Sequence, residues 1–216
     1  MKHTYTVVGL GVFGSTIALE LSRLGNDVIG IDLNPNLVND IADRITQAVI
    51  ADARDEKVLR DLGVHECDGV VIAIGEDIEA NILATLIVKN MPKPKVWAKA
   101  LNPNHHKILE KLGTDHIVHP EHEMGLRLAR SMVYPEVMDY ISLGHDQFMV
   151  EVRASERLVG QNLDGLHLEE NDLQYFLIKH LDEVMLPPPR QYAFELNDRI
   201  LLFGTLGNLR KITRYL

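Results

Sequence analysis

The sequence predicts an α/β fold, namely a doubly wound parallel (Rossmann-like) sheet followed by a second, smaller α+β C-terminal domain. Three observations lead to this prediction. Strand-like and helix-like segments alternate from residue 3 to about residue 134, a glycine-rich turn joins the first strand to the first helix, and the alternation has ended by residue 142. Regular alternation of this kind builds a parallel sheet with crossover helices.

Six apolar runs are predicted as the strands of the first sheet, at residues 5–8, 28–31, 48–51, 70–74, 96–99 and 116–118. Several are continuously apolar, as expected of strands covered on both faces. Helical patterns lie between and after them, at residues 15–24, 36–42, 55–62, 78–89, 105–112 and 121–132. Gly25, Gly63 and Gly113 each follow one of these helices, where a left-handed residue is favoured.

The remaining sequence has a different pattern. Residues 147–152 alternate between apolar and polar side chains, which predicts a half-exposed strand. Shorter strands are predicted at residues 175–179 and 200–203, a stiff turn at the three prolines 187–189, and a terminal helix at residues 207–215. We therefore predict a Rossmann-like domain over residues 1–120, a crossover helix and linker over 121–141, and a second domain over 142–216.

Composition excludes several classes of protein. The formal charge is −9 and lysines and arginines are not clustered, which argues against nucleic-acid binding. The single cysteine, Cys67, rules out an intramolecular disulfide and fits a reducing compartment. No apolar run approaches the length of about 18 residues that a membrane span needs, and no secretion signal precedes the first strand. The sequence therefore predicts a cytoplasmic protein.

The glycine-rich turn has the sequence Gly-Leu-Gly-Val-Phe-Gly over residues 9–14. Gly9 permits the tight turn, Gly11 lets the backbone approach a phosphate, and Gly14 lets the helix pack closely on the strand. The N-terminus of that helix offers N–H groups to the same phosphate. Asp32 ends the next apolar run, where a carboxylate accepts hydrogen bonds from ribose and repels a 2′-phosphate. The pattern predicts a nucleotide site that disfavours NADP, the alternative being that the glycines serve packing alone.

Two further segments end at the same carboxyl edge of the predicted sheet. Asp52 follows the third strand, and on sequence alone it either contacts the adenine or ribose or caps the following helix. The segment 73–76, which contains Ile74, ends the fourth strand. Its small residues either leave room for a ligand or form a plain turn between strand and helix.

A small NAD-dependent oxidoreductase is the alternative function, and it would need a proton-handling group beside the nicotinamide. Tyr175 and Lys179 have the Tyr-x-x-x-Lys spacing of short-chain dehydrogenases. In those enzymes the two residues share one face of a helix. Here the segment is strand-like and far from the glycine turn, so we interpret the match as chance.

Histidines recur at three-residue spacing next to an acidic residue, as His116, His119 and His122 with Glu121. The first two span a strand end and a proline, where this spacing does not bring side chains together, so we expect no closed zinc site. A looser site for a hard cation, formed by Glu121 with water or a neighbouring subunit, stays open as an alternative.

Several segments together match one known family. They are residues 7–14, Ile31-Asp32, residues 47–53 and 71–75, Lys99-Ala100, residues 106–113 and His119-Pro120-Glu121. On these segments the chain resembles the cytosolic, TrkA-like regulatory subunits of the Ktr/Trk potassium uptake systems, which carry an RCK (KTN) domain. The resemblance covers essentially the whole chain, because the smaller domain is similar to an RCK-C (TrkA-C) module.

The resemblance implies a non-enzymatic gating ring, typically a homo-octamer, beneath a membrane-embedded potassium-translocating subunit. It implies that ADP or ATP, or NAD(H) in some relatives, binds the first domain and shifts the ring between states. The positions that it assigns to the nucleotide are Gly9, Gly11, Val12, Phe13, Gly14, Asp32, Asn34, Asp52, Ala53, Arg54, Ile74 and Lys99. Glu121 matches a carboxylate that in relatives helps to hold a divalent or sodium ion near the nucleotide.

Two features qualify this expectation. Many relatives have an arginine at the position of Val12, where it contacts the terminal phosphate across a subunit interface. A valine supplies no cation, so we expect weak discrimination of ATP from ADP and a preference for ADP or NAD(H). The helix predicted at residues 121–132 is either the element that joins subunits or part of the core of its own chain.

Overall fold

A computed structural model describes residues 2–133 and 136–212 of the chain. The chain divides into two compact units, the first ending at Glu123 and the second beginning at Met124. The predicted second domain began at residue 142, but this position lies inside a strand, Val137–Gly144, that belongs to the second sheet. No helix in the described part of the chain is long and apolar enough to cross a membrane.

The first unit contains a six-stranded parallel sheet in the order β3-β2-β1-β4-β5-β6. Its strands are β1 (Thr4–Val8), β2 (Asp27–Asp32), β3 (Gln47–Ile50), β4 (Gly69–Ile72), β5 (Lys95–Lys99) and β6 (His116–Val118). The helices are α1 (Val12–Arg23), α2 (Pro35–Ile41), α3 (Glu56–Asp61), α4 (Ile78–Lys89), α5 (Pro103–Lys111) and α6 (Pro120–Val133). This strand order confirms the predicted doubly wound fold, in which ligands bind where the order reverses, beyond the carboxyl ends of β1 and β4.

Both faces of this sheet are buried at its central strands, which explains the continuous apolar runs there. Val7 of β1 packs on one face with Ala18 of α1, whereas the next residue, Val8, packs on the other face with Leu59 of α3 and Ala84 of α4. Successive residues of a strand point to opposite faces. Every residue of β4 is therefore buried, and the strand has no polar face.

Capping side chains and glycines set the ends of the helices. Helices α2 to α5 each begin after a side chain that accepts a hydrogen bond from a backbone N–H of the first turn, in order Asn34, Asp55, Asp77 and Asn102. Gly25, Gly63 and Gly113 have positive φ angles after α1, α3 and α5, as predicted. The largest difference from prediction is at α1, which begins at Val12 rather than at residue 15.

The second unit contains a five-stranded antiparallel sheet in the order β10-β9-β11-β8-β7. Its strands are β7 (Val137–Gly144), β8 (Gln147–Arg153), β9 (Gln174–His180), β10 (Glu183–Met185) and β11 (Arg199–Thr205), followed by helix α7 (Leu206–Ile212). Inward side chains of the central strands form its core, among them Val150, Ile178, Ile200 and Leu202. The smaller α+β domain is thus confirmed, although β7 and β10 were not predicted. The predicted end of the last helix, residues 213–215, and Pro135 lie outside the described residues.

Candidate nucleotide-binding site

The glycine turn brings β1 and α1 so close together that two of its glycines have no space for a side chain. A Cβ atom on Gly14 would lie 1.8 Å from the carbonyl oxygen of Gly9. A Cβ atom on Gly9, which has a φ of +91°, would lie 2.9 Å from the backbone of Ala73. Gly11 differs, because apart from its own adjacent chain no described atom lies within 4 Å of its Cβ position. Packing therefore explains Gly9 and Gly14, whereas Gly11 leaves open space in front of the helix.

The N-terminus of α1 differs from those of the next four helices. Its N-cap residue is Gly11, and among the described residues no side chain caps this end. The first N–H groups of an α-helix have no partner within the helix and carry a partial positive charge. Val12, the first helical residue, is 88% exposed, so its side chain does not cover them. An anion can therefore bind at this terminus.

Asp32, at the end of β2, has two backbone partners in the folded chain. Its Oδ2 atom accepts a hydrogen bond of 2.7 Å from the N–H of Leu10, and its Oδ1 atom accepts one of 2.8 Å from the N–H of Asn34. Asn34 in turn caps α2 by accepting from the N–H of Asn36 at 3.0 Å. Asp32 therefore holds the glycine turn in place, a role that the sequence did not indicate. Each carboxylate oxygen retains a second lone pair for a ribose hydroxyl.

Asp52 and Arg54 form a two-pronged ion pair beyond the end of β3. The Arg54 guanidinium donates to both carboxylate oxygens of Asp52, at 2.7 to 3.1 Å, and the N–H of Arg54 donates to Oδ1 at 2.9 Å. These bonds lower the pKa of Asp52. Ala53 lies between them and is buried. Because Asp55 caps α3, the alternative in which Asp52 caps that helix is wrong.

Lys99, the last residue of β5, places a cation at the same edge of the sheet. The residue is only 7% exposed, and its Nζ atom donates to the carboxylate of Glu121 in the first turn of α6. The same Nζ atom lies 5.9 Å from the ring centre of Phe13 and 3.3 Å from the Cβ position of Gly75. The bond from Lys99 holds the pKa of Glu121 below its usual value. A larger residue at position 75 would press on this cation.

Asn81 also stabilises this edge of the sheet, a role that the sequence did not predict. Its Nδ2 group donates to the carbonyl oxygen of Ile74 at 2.8 Å and to that of Lys99 at 3.1 Å. The side chain is fully buried on α4 and joins the ends of β4 and β5. The available signal was an amide within a mainly apolar helix, since a buried amide needs partners.

The other candidate residues lie apart from this edge or form different contacts. The Nδ1 atom of His106 lies 2.8 Å from Nε2 of His119, so His119 pairs with α5 rather than with His116 or His122. Within residues 2–133 and 136–212, no group of three or more His, Cys, Asp or Glu side chains is arranged to hold a metal ion. Tyr175 lies on strand β9, as predicted, rather than on a helix.

A parallel sheet of this strand order, with an open helix terminus after β1 and an acidic residue at the end of β2, defines the Rossmann-like class of nucleotide-binding domains. The family model described as TrkA-N domain matches residues 5–120. The chain belongs to the TrkA-N domain family, and the resemblance drawn from the sequence is confirmed.

Two relatives match over nearly their whole length. Ktr system potassium uptake protein C of Bacillus subtilis is 37% identical, over 99% of this chain and 97% of that protein. Ktr system potassium uptake protein A of the same organism is 36% identical, over 96% of this chain and 94% of that protein. Among solved structures, the GsuK channel bound to NAD has a TM-score of 0.58 at 20% identity, over 99% of this chain but 38% of that one. That structure supports the fold alone.

Proposed function

We propose that this chain is a cytosolic, nucleotide-binding regulatory subunit of a potassium uptake system and acts as part of a gating ring. The observation that carries the proposal is the meeting of the open α1 terminus, Asp32 and the Lys99 cation at one sheet edge. The relatives support the potassium part, because two proteins named for Ktr potassium uptake match along almost the full chain.

The phosphates are proposed to bind between the start of α1 and Lys99. The open space at Gly11 lets a phosphate reach the free N–H groups of α1. Lys99 reaches the glycine turn, since its Nζ atom lies beside the ring of Phe13. A phosphate there would exchange the contact of Lys99 with Glu121 for one with its own oxygens. The positive end of the α1 helix dipole and the ammonium group of Lys99 together favour a diphosphate or triphosphate group.

The nucleoside is proposed to extend from Asp32 toward the end of β3. Asp32 accepts from the ribose hydroxyls, and its charge disfavours the 2′-phosphate of NADP. Asn34 is the second residue of the ribose site, and Asp52, Ala53 and Arg54 border the adenine end. Ile74 lies two residues beyond β4, on the opposite side of β1 from β2 and β3.

The choice of nucleotide depends on Val12. This side chain is exposed at the phosphate end of the site but carries no charge, so it cannot form an ion pair with a third phosphate. We therefore favour ADP or NAD(H) over ATP as the ligand that binds most tightly. Any of these can shift an equilibrium between two ring states only by the difference between its affinities for them.

Glu121 is proposed to bind a divalent or sodium ion only when a nucleotide is present. Among the described residues no cluster of His, Cys, Asp or Glu side chains is arranged to hold a metal ion, and the Glu121 carboxylate is paired with Lys99. A phosphate that draws Lys99 away would free Glu121 and supply the additional oxygen ligands that a hard cation needs.

Self-association is proposed to use α6. Met124, Leu128 and Met132 lie at helical spacing and are exposed in this chain. An apolar stripe of this kind favours the subunit-joining alternative over the intrachain core. A homo-octameric ring would then bind the cytoplasmic side of a membrane-embedded potassium-translocating subunit, with no role for nucleic acid.

We propose a non-enzymatic role rather than an oxidoreductase. Residues four apart on a strand are separated by roughly 13 Å, so the Tyr175 and Lys179 side chains of β9 cannot act on one atom. A regulator requires only differential binding, which needs no proton-handling group beside the ligand.

The test is calorimetric titration of the full chain with ATP, ADP, NAD and NADH, with the size of the protein measured in each state. The proposal expects at least one ligand to bind and the oligomer or its shape to respond. If none binds more tightly than about 1 mM, where binding contributes only about 4 kcal/mol, the regulatory account fails. Steady turnover of NADH with any substrate would favour the oxidoreductase instead.

A further inference from the structure

The second unit contains a buried carboxylate that the proposed function does not use. Asp198 immediately precedes β11 and is only 1% exposed. Its Oδ1 atom accepts a hydrogen bond of 2.7 Å from Nδ1 of His180, the last residue of β9. Its Oδ2 atom accepts from the hydroxyl of Tyr192 at 2.9 Å and from the N–H of Glu195 at 2.8 Å. Three donors from two parts of the chain therefore converge on one carboxylate.

This carboxylate anchors the segment between β10 and β11, residues 186–198. Tyr192 and Glu195 both belong to the segment, and both donate to Asp198 at its end. Phe194, between them, is buried in the core, and its N–H donates to the carbonyl oxygen of Gln161 at 2.8 Å. The segment contains no strand and no helix. Phe194 and the contacts with Asp198 attach it to the rest of the unit, together with an ion pair from Arg190 to Glu169 and a hydrogen bond from the N–H of Asn197 to the carbonyl oxygen of Ala154, each of 3.3 Å.

Three acidic residues interact with the imidazole of His180. Asp198 contacts Nδ1, and the Oε2 atom of Glu195 lies 3.8 Å from Nε2. Glu183 of β10 is the cross-strand partner of His180. The hydrogen bond to Asp198, strengthened by the charges of Glu195 and Glu183, raises the pKa of His180 above its ordinary 6.5.

Lys179, Arg199 and Tyr192 do not compete for this proton. Lys179 precedes His180 on β9 and Arg199 follows Asp198, so each points to the other face of the sheet. Arg199 contacts Glu151 there, at 3.4 Å. Tyr192 keeps its proton, because burial and its hydrogen bond to Asp198 raise its pKa.

We propose that His180 and Asp198 form a proton-operated latch that holds residues 186–198 against the sheet of the second unit. When the imidazole carries two protons, Nδ1–H donates to Asp198 and Nε2–H faces the carboxylate of Glu195. Loss of one proton leaves a lone pair on Nε2 that faces Glu195, so an attraction becomes a repulsion. The bond to Asp198 then joins a neutral donor to the carboxylate instead of a cation to the carboxylate, which weakens it.

The direction of the response follows from the raised pKa. A group whose pKa is higher in the closed state stabilises that state fully below its ordinary pKa, here 6.5. This stabilisation is lost as the pH rises through the higher, folded value. The latch is therefore tight under mildly acidic conditions and loosens under alkaline ones. All of its residues belong to the second unit.

The test is hydrogen–deuterium exchange of the full chain from about pH 6 to about pH 9, corrected for the intrinsic exchange rate. Between pH 6.5 and the folded pKa, amide protection over residues 192–198 should fall by up to about tenfold per pH unit, while core strand β11 stays protected. His180→Gln should remove this dependence on pH. The matched control is His3→Gln in the first unit, whose imidazole lies 3.4 Å from Asp68 and which should leave the profile unchanged.

A second variant keeps the proposal testable if His180→Gln does not fold. Glu195→Gln leaves the bond from His180 to Asp198 in place but removes the carboxylate that faces Nε2. It should lower both the pKa of His180, followed by NMR of the imidazole, and the pH at which protection is lost. A pH profile that is identical in the wild type and His180→Gln, or a His180 that titrates at or below 6.5 in the wild type, would overturn the latch.

Discussion

Lys99 and Glu121 neutralise each other at the sheet edge where a phosphate is proposed to bind. Lys99 Nζ donates to the Glu121 carboxylate, and the Lys99 side chain is 9% exposed whereas that of Glu121 is 66% exposed. An ammonium group that is nearly withdrawn from water needs a counter-ion. A phosphate bound at the proposed position would therefore compete with Glu121 for this cation. Glu121 belongs to the first turn of α6, and this helix continues beyond Glu123, where the first unit ends. Competition for Lys99 would therefore act on a residue of α6.

Glu121→Gln tests this competition. Without a ligand, the variant leaves Lys99 without its counter-ion, and the free energy of unfolding should fall by about 1–2 kcal/mol. This is less than the roughly 3–5 kcal/mol of a fully buried pair, because Glu121 is largely in water. With saturating ADP the loss should shrink, since the phosphates replace the carboxylate. Urea unfolding with and without ADP measures both values, and Glu123→Gln in the same helical turn is the control. An equal loss in both conditions would argue that the phosphates do not reach Lys99.

The same ion pair should be lost in acid. Lys99 holds the pKa of Glu121 below its ordinary 4.5. A depressed folded pKa means that the stabilisation is complete above the unfolded pKa and is lost as the pH falls through the folded one. The difference in unfolding free energy between the wild type and Glu121→Gln should therefore stay constant from neutral pH to about pH 5 and vanish in stronger acid. Urea unfolding across this range checks it, and a difference that grows in acid would contradict the assignment.

The first sheet was predictable because the features that specify its strands and helix ends lie within short stretches of sequence. Strands buried on both faces are continuously apolar, as β4 is, and the helix ends carry their own capping residues and glycines. In the second unit, β7 was missed because its register shifts between Val137 and Asp139 and again between Ser142 and Gly144. These irregularities break the period of two that identifies a strand. β10 has only three residues, too few to show any period.

The candidate site was predictable in part, for a related reason. Asp32 is recognisable from its place after an apolar run, but its bond to Leu10 exists only once β1 and β2 lie side by side. Lys99 and Glu121 were each assigned by resemblance to separate roles. Their contact joins positions 22 residues apart and depends on β5, β6 and the start of α6. Sequence patterns identify the types of residue at an edge, whereas pairing across the edge follows from the fold.

Asp32 should affect both stability and binding, because its carboxylate fixes the glycine turn. Asp32→Ala leaves the N–H groups of Leu10 and Asn34 without their acceptors and should cost about 1–3 kcal/mol of unfolding free energy. It should also weaken nucleotide binding, through the lost ribose contact and the loosened turn. Asp32→Asn keeps one acceptor and should lose less stability. Urea unfolding and calorimetry separate the two effects, and unchanged affinity in Asp32→Ala would remove the ribose assignment.

Substitutions of Gly14 and Gly11 should distinguish the packing role of the glycine turn from its role in nucleotide binding. Gly14→Ala places a methyl group 1.8 Å from a backbone oxygen, so the first unit should unfold or lose several kcal/mol of stability. Gly11→Ala has open space and should fold with nearly the wild-type melting temperature. Its methyl group nevertheless occupies the approach to the α1 terminus, so nucleotide affinity should fall at least about tenfold. Thermal unfolding and calorimetry of both variants provide the measurement. Full affinity in a folded Gly11→Ala protein would place the phosphates elsewhere.

Val12 should decide how strongly the site distinguishes ATP from ADP. Val12→Arg adds a guanidinium at an exposed position beside the α1 terminus, so stability should be unchanged. A charge-assisted bond to the third phosphate should raise the ratio of ATP to ADP affinity about tenfold, which corresponds to about 1.4 kcal/mol. Val12→Gln, of similar length but neutral, is the matched control and should change the ratio little. Calorimetric titration of each variant with both nucleotides gives the two ratios. If Val12→Arg leaves the ratio at its wild-type value, the terminal phosphate does not lie at this end of the turn.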